Sequence, residues 1–364
     1  MRNVILALTA SIAAAPALAG GVERSTQPIA ILFEEGRYLE FSGSYARPKV
    51  SGTTSALFGS AATGNIANNF FTGAIGYKAD LGDNWSYAIT VDQPIGADVV
   101  YPAGSALAAL GGEIKSTALT AMLRYKFHGG FSAYAGLRSV WTSGTVAIPA
   151  PVVGALGGPA AAYSLTSNTD QAFGYMLGVA YEKPEIALRV SLTYSSAVKH
   201  TFTAQEAFGG VPLPAAATFT TNIPESLTLD FRSGVAKDTL VFGSVRWVNW
   251  KDFVIPAPAL AGRAIVSYPE NSMTYTLGVG RKFNDTWSGS LSLSHDTGTG
   301  NPTSNLGPIG KRNSIAMGVS YTRDAMTISG GIQYARIGAA TTTLGSTFDD
   351  NSTIGAGIRV GFRF

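Results

Sequence analysis

The stretch NSTIGAGIRVGFRF, residues 351–364, changes character at every step. Ile354, Ala356, Ile358, Val360, Phe362 and Phe364 fall on one parity, and Thr353, Gly355, Gly357, Arg359, Gly361 and Arg363 on the other. Successive side chains on a strand point to opposite faces, so this segment is apolar on one side and polar or bare on the other. A strand of this kind ending on an aromatic residue is expected to close a transmembrane β-barrel of the bacterial outer membrane.

The other end of the chain agrees. Residues 1–19 carry one positive charge at Arg2, an apolar run from Val4 to Ala15 and the small-residue site Ala17-Leu18-Ala19, the layout of a cleaved export signal. The run is too short to cross a membrane and has no polar face, so it is set apart from the fold. Among the 364 residues there is no cysteine, which excludes disulfides and thiolate metal sites. Charged residues are only 13% of the chain, and beyond the signal no apolar run reaches about eighteen residues, which excludes a bundle of membrane helices. The formal net charge of +3 falls by one when Arg2 leaves, so nucleic acid is not an expected partner. No cofactor and no metal site is expected.

The organising repeat is a hairpin of two alternating runs around a tight polar turn, followed by a longer loop rich in Gly, Ala and Pro. Tight turns fall at Gly82-Asp83-Asn84, Gly129-Gly130, Lys183-Pro184-Glu185, Lys237-Asp238-Thr239, Asn284-Asp285-Thr286 and Asp324-Ala325. These six turns imply twelve strands; the leading run Tyr38 to Lys49 and the closing strand bring the total to fourteen. The expected fold is therefore all-β, an antiparallel barrel over residues 38–364 with both ends on the periplasmic side. A soluble sandwich would alternate in the same way, but its polar face would carry far more Lys and Glu than these Ser, Thr and Gly positions.

Trp85 and Trp287 follow tight turns directly, in LGDNW and FNDTW, which places two indoles at the periplasmic membrane interface. The long loops at the opposite end include the apolar segments AIPAPVVGALGGPAAAYSL and AFGGVPLPAAATF. Such loops either offer a greasy landing site at the cell surface or pack on one another to close the barrel mouth. A barrel of fourteen strands has a lumen that must be plugged or used. Residues 20–37, GGVERSTQPIAILFEEGR, have no place in the wall, and their apolar cluster with Ile31, Leu32 and Phe33 is expected inside the lumen as a short plug.

Two longer stretches carry a specific resemblance. SNTDQAFGYMLGVAYEKPEIALRVSLTYSSAVKHTF, followed by NIPESLTLDFRSGVAKDTLVFGSVRWVNWKDF, resembles the FadL-type outer-membrane transporters of long-chain fatty acids and other hydrophobic compounds. WSYAITVDQPIG, the hairpin YTLGVGRKFNDTWSGSLSLSHD and the fourteen strands support it across the mature chain. The resemblance implies an amino-terminal hatch, an apolar capture site among outer loops, an internal binding pocket and a kinked third strand that opens the wall sideways into the lipid. The hatch departs from the family pattern in being short and lacking Asn-Pro-Ala.

Pro94 lies in the third strand and removes a ladder hydrogen bond, so Asp92, Pro94 and Gly96 mark the expected kink, with a long loop beginning at Ala97. An amphiphilic acid needs an apolar sleeve for its tail and a cation for its head. By parity Arg138, Lys199 and Arg246 point inward in the middle or outer halves of their strands, and Lys251 lies near the loops; these are the candidate head-group partners beside Ile31, Leu32 and Phe33. A lipase would need a converging triad, but the neighbours Ser294, His295 and Asp296 face opposite sides, and parity sends His200 outward. A general porin would have a densely charged lumen instead of a plug and apolar loops. The reading is a monomeric transporter whose partners are a hydrophobic ligand and outer-membrane lipid.

Overall fold

Alternation builds fourteen wall strands in the computed structural model, which describes residues 21–25 and 29–364; the expected signal, residues 1–19, lies outside them. In chain order the strands are β1 (Tyr38–Lys49), β2 (Phe70–Leu81), β3 (Trp85–Asp92 and Gly96–Val100), β4 (Gly111–Lys126) and β5 (Phe131–Ile148). Next come β6 (Tyr163–Ser167 and Asp170–Lys183), β7 (Leu188–Ser195 and Val198–Phe208), β8 (Ala217–Ile223 and Ser226–Ala236) and β9 (Thr239–Val248). The wall is completed by β10 (Ser272–Lys282), β11 (Trp287–Asp296), β12 (Arg312–Arg323), β13 (Met326–Ile337) and β14 (Asn351–Arg363). Each pairs antiparallel with its neighbour, and β14 closes on β1 from Tyr38 opposite Arg363 to Lys49 opposite Ser352. Closure leaves no free edge for another chain to extend.

The wall is apolar outside, as lipid requires. In β14, Ile354 is 59% exposed while the inward Thr353 is 3% exposed. Inward hydroxyls satisfy one another across the strands, as in Ser44 with Thr72 (2.6 Å) and Ser320 with Ser329 (2.8 Å). Around the short turns Trp85 packs on Tyr125 (4.7 Å between centroids) and Trp287 on Tyr321 (5.0 Å), forming an aromatic girdle at that end.

Inside the barrel are three layers. Nearest the short turns, a 3₁₀ turn at Ile29–Phe33 sits in the lumen, with Ile31 and Leu32 buried against Ala88, Met122, Tyr134 and Met176. Phe33 meets Tyr134 edge-on at 5.9 Å and lies under the guanidinium groups of Arg124 (4.2 Å) and Arg189 (4.3 Å). Above this comes a belt of charges, and above the belt a large apolar layer capped by loops. The apolar loops close the mouth: the short helix α1 (Ala150–Ala155) buries Val152 and Val153, and Leu107, Leu260, Leu306 and Phe348 are buried with them.

Four strands change face partway up. In β3 both Asp92 and Ile95 are buried, in β7 both Ser195 and Val198, and in β8 both Ile223 and Ser226; β6 switches between Leu165 and Ala172. An odd step between two inward residues sends every later side chain to the opposite face. This corrects two sequence expectations. Strand β3 does not give way to a loop at Ala97 but continues to Val100 beyond its kink. In β7 the outer half is inverted, so Lys199 is outward and exposed, whereas His200 is inward and 1% exposed.

Candidate ligand chamber and its wall interruptions

The upper chamber is built from inward residues of strands that have just switched face. A cleft that is partly open to solvent is lined by Ile95, Thr142, Leu165, His200, Phe202 and Phe219, among others. Its apolar walls suit an apolar body, and such clefts commonly bury most of a small ligand. Trp250 stands beside it, packed edge-on against Phe253 (5.7 Å) and Tyr268 (5.2 Å). In the loops burial raises the phenol pKa of Tyr268 and of Tyr101, whose hydroxyl donates to the Asn305 carbonyl at 2.9 Å. Both phenols remain neutral donors at ordinary pH.

The charged belt forms the floor. Glu23, in the amino-terminal segment, meets Arg246 at 2.5 Å, and Ser25 donates to Asp92. Arg312 approaches Asp296 at 3.5 Å. Arg138 is 6% exposed, and among the described residues neither its Nε nor its Nη2 has a hydrogen-bond partner, although the carboxylates of Asp92 and Glu23 lie within electrostatic reach. A buried guanidinium with idle donors is costly unless an anion or water satisfies it. On the same face of β5, Val140 and then Thr142 lead up from Arg138 to the cavity, a climb of about 13 Å at strand spacing.

The candidates named from sequence therefore separate. Arg138 and Arg246 meet at the floor, with Arg246 already held by Glu23. Lys199 points away on the outer surface, and Lys251 is exposed in a loop turn where its amide donates to Asn271 at 3.1 Å. Ile31, Leu32 and Phe33 lie in the lower layer, apart from the cavity lining. Sequence reasoning overlooked Glu23 and Arg312. It also sent outward His200, whose ring lies inside between Asp170 (Nδ1, 2.8 Å) and Thr142 (Nε2, 3.2 Å).

Asp92, Pro94 and Gly96 lie together where β2 and β3 part. The two strands pair up to Ile75 opposite Val91 and meet again only at Ala67 opposite Val99. Because Pro94 has no N–H, its stretch is bulged, and its carbonyl accepts instead from the amides of Arg24 (2.8 Å) and Ser25 (3.3 Å). The Gly96 amide donates to Val22 at 2.9 Å. Arg24 crosses the gap to lie 4.0 Å over the Phe70 ring, and burial lowers its pKa although Asp98 and Glu113 oppose the shift. A Cβ on Gly96 would lie 2.5 Å from the Arg24 Nε, so any larger residue there requires the Arg24 side chain to move.

Comparison with known proteins follows this geometry. Residues 13–358 match the family model described as outer membrane protein transport protein (OMPP1/FadL/TodX). Among solved structures, a FadL homologue of Pseudomonas aeruginosa superposes with a TM-score of 0.76 at 16% identity, covering 96% of this chain and 97% of its own. The Pseudomonas putida toluene transporter TodX gives a TM-score of 0.63 at 15% identity over 91% of each chain. The monoaromatic hydrocarbon channel CymD gives 0.64 at 14%, covering 91% of this chain and 89% of its own. No curated protein matches the sequence.

Proposed function

Because the chain belongs to the FadL/TodX family of bacterial outer-membrane transport proteins, which carry hydrophobic compounds and are not a family of enzymes, we propose that its own cargo is a long-chain fatty acid. The carrying observation is Arg138, a buried cation with idle donors below an apolar cavity. A carboxylate bound there would be paired through charge-assisted hydrogen bonds while its tail extended upward. The acid would also compete with Glu23 for the neighbouring Arg246, loosening the amino-terminal segment that occupies the kink in β3. Cargo would then leave sideways between β2 and β3 at Asp92, Pro94 and Gly96. A closed barrel supplies this route as a monomer.

A wholly uncharged cargo such as toluene would make no use of Arg138. Detergent-solubilised barrel is expected to bind a long-chain acid more tightly than its methyl ester. Arg138→Gln is expected to weaken acid binding about 10- to 100-fold, since a hydrogen bond to a charged group contributes about 1.5–3 kcal/mol, and to leave ester binding unchanged. Equal binding of acid and ester by the unaltered protein would favour an uncharged cargo.

A further inference from the structure

The gap between β2 and β3 has a counterpart four wall strands further around the barrel, between β6 and β7. These strands pair up to Ser195 opposite Met176, and the Ser196 amide still reaches the Tyr175 carbonyl at 2.9 Å. Pairing is next recorded at Ala204 opposite Ser167, just above a bond from the Asn168 amide to the Thr203 carbonyl (2.9 Å). Between these points residues 169–174 and 197–202 have no ladder pairing with each other, over a length of about 20 Å at strand spacing, while each keeps its ladder to the strand on its far side. Register is the same above and below, so this is an interruption in the wall and not a slip.

The cause is a mismatch of pleats. Strand β7 switches face at Ser196 and Ala197, below the gap, whereas β6 switches only at Asn168 and Thr169, above it. Between the two switches, residues at equal height point to opposite faces, and the backbone groups cannot form a regular ladder. Side chains substitute for it. Asp170 accepts from the Thr201 amide at 3.2 Å and from His200 at 2.8 Å, Asn168 accepts from the Thr203 amide at 2.9 Å, and Ser196 accepts from the Tyr175 amide at 2.9 Å.

Position gives this gap a use. On its inner side, His200, Phe202, Leu165 and Thr142 line the cavity itself. On its outer side, Phe173 is 71% exposed and Tyr175 packs on Tyr194 (6.1 Å), marking the upper rim of the lipid-facing belt. We propose that the β6–β7 gap is a second lateral passage for apolar molecules, one whose lower end at Phe173 meets the upper rim of the lipid belt and which is latched by the Asp170–His200 pair. It rests on the transport reading, and it places ingress from lipid four wall strands around from the β2–β3 kink. A side-chain latch can open by rotamer changes, whereas opening a regular ladder breaks several backbone bonds together.

The chain has no cysteine, so cysteines can be placed without background. Gln171→Cys and Thr201→Cys, both outward, would be bridged by a short, reducible bifunctional thiol reagent that tolerates the out-of-phase pleats. A diazirine-bearing alkyl probe dissolved in the bilayer is then photolysed and its adducts are mapped by mass spectrometry. Adducts on Leu165, Phe202 and Phe219 are expected to fall at least fivefold on bridging and to return on reduction. The same reagent across the continuous pair Ile315→Cys and Tyr334→Cys should change nothing. Asp170→Asn, with heat-modifiability verifying the fold, should at least double labelling of the cavity. Cavity labelling that ignores the β6–β7 bridge overturns the proposal. Because labelling requires no net transport, that failure is distinct from the absence of fatty-acid uptake.

Discussion

Single residues show where parity counting succeeds and where it inverts. Arg138 and Arg246 were legible because β5 and β9 run uninterrupted, so each inward position follows from the one before. Lys199 and His200 were misassigned because the face switch at Ser196 and Ala197 carries no proline or glycine to announce it. The upper chamber is also apolar inside and polar outside, the reverse of the lipid-facing belt, so Val198, Phe202 and Ala204 fitted either face. The polar run Lys199, Thr201, Thr203 and Gln205 was the available signal that β7 had risen above the lipid. Gly96 is a position where one methyl group matters. Gly96→Ala places a Cβ against the Arg24 guanidinium and is expected to dislodge residues 22–25, increasing single-channel leak in planar bilayers severalfold. Leak equal to that of the unaltered barrel would show that Arg24 yields without moving its segment.

At the scale of elements, tight turns and hairpins were readable because Gly, Pro, Asn and Asp mark them locally. The first strand, for example, has the bounds that alternation assigned to it, Tyr38–Lys49. The outer ends were less readable, since β3, β6 and β7 extend into stretches whose Gly, Ala and Pro content resembles a loop. Their strand character comes from pairing with neighbours, a tertiary contribution that local composition does not contain. The five apolar residues at Ile29–Phe33 do have a lumenal position, and their role as a plug can be tested by charge. Replacing Ile31, Leu32 and Phe33 with Asp buries carboxylates among apolar neighbours, and expulsion of the segment should relieve that cost. Permeability to small hydrophilic solutes is expected to rise about tenfold, read by liposome swelling. Unchanged swelling with an intact barrel would mean that the charged belt blocks passage by itself.

For the whole molecule, the three layers form a sequence of environments: an apolar chamber beneath packed loops, a charged floor where Arg138 keeps unused donors, and the buried apolar turn Ile29–Phe33. The wall is interrupted at the chamber, where pairing fails between β2 and β3 and again between β6 and β7. On the proposed reading such a barrel favours a molecule with an apolar body over a hydrated one, because the buried turn Ile29–Phe33 and the packed loops leave an apolar path. The most direct test is the initial rate of uptake into vesicles containing the purified barrel, comparing a long-chain fatty acid with a small sugar at equal protein content. The account expects saturable fatty-acid uptake above protein-free vesicles and sugar uptake at the protein-free rate. Sugar uptake accelerated as much as that of the fatty acid would contradict it and make the barrel a general pore.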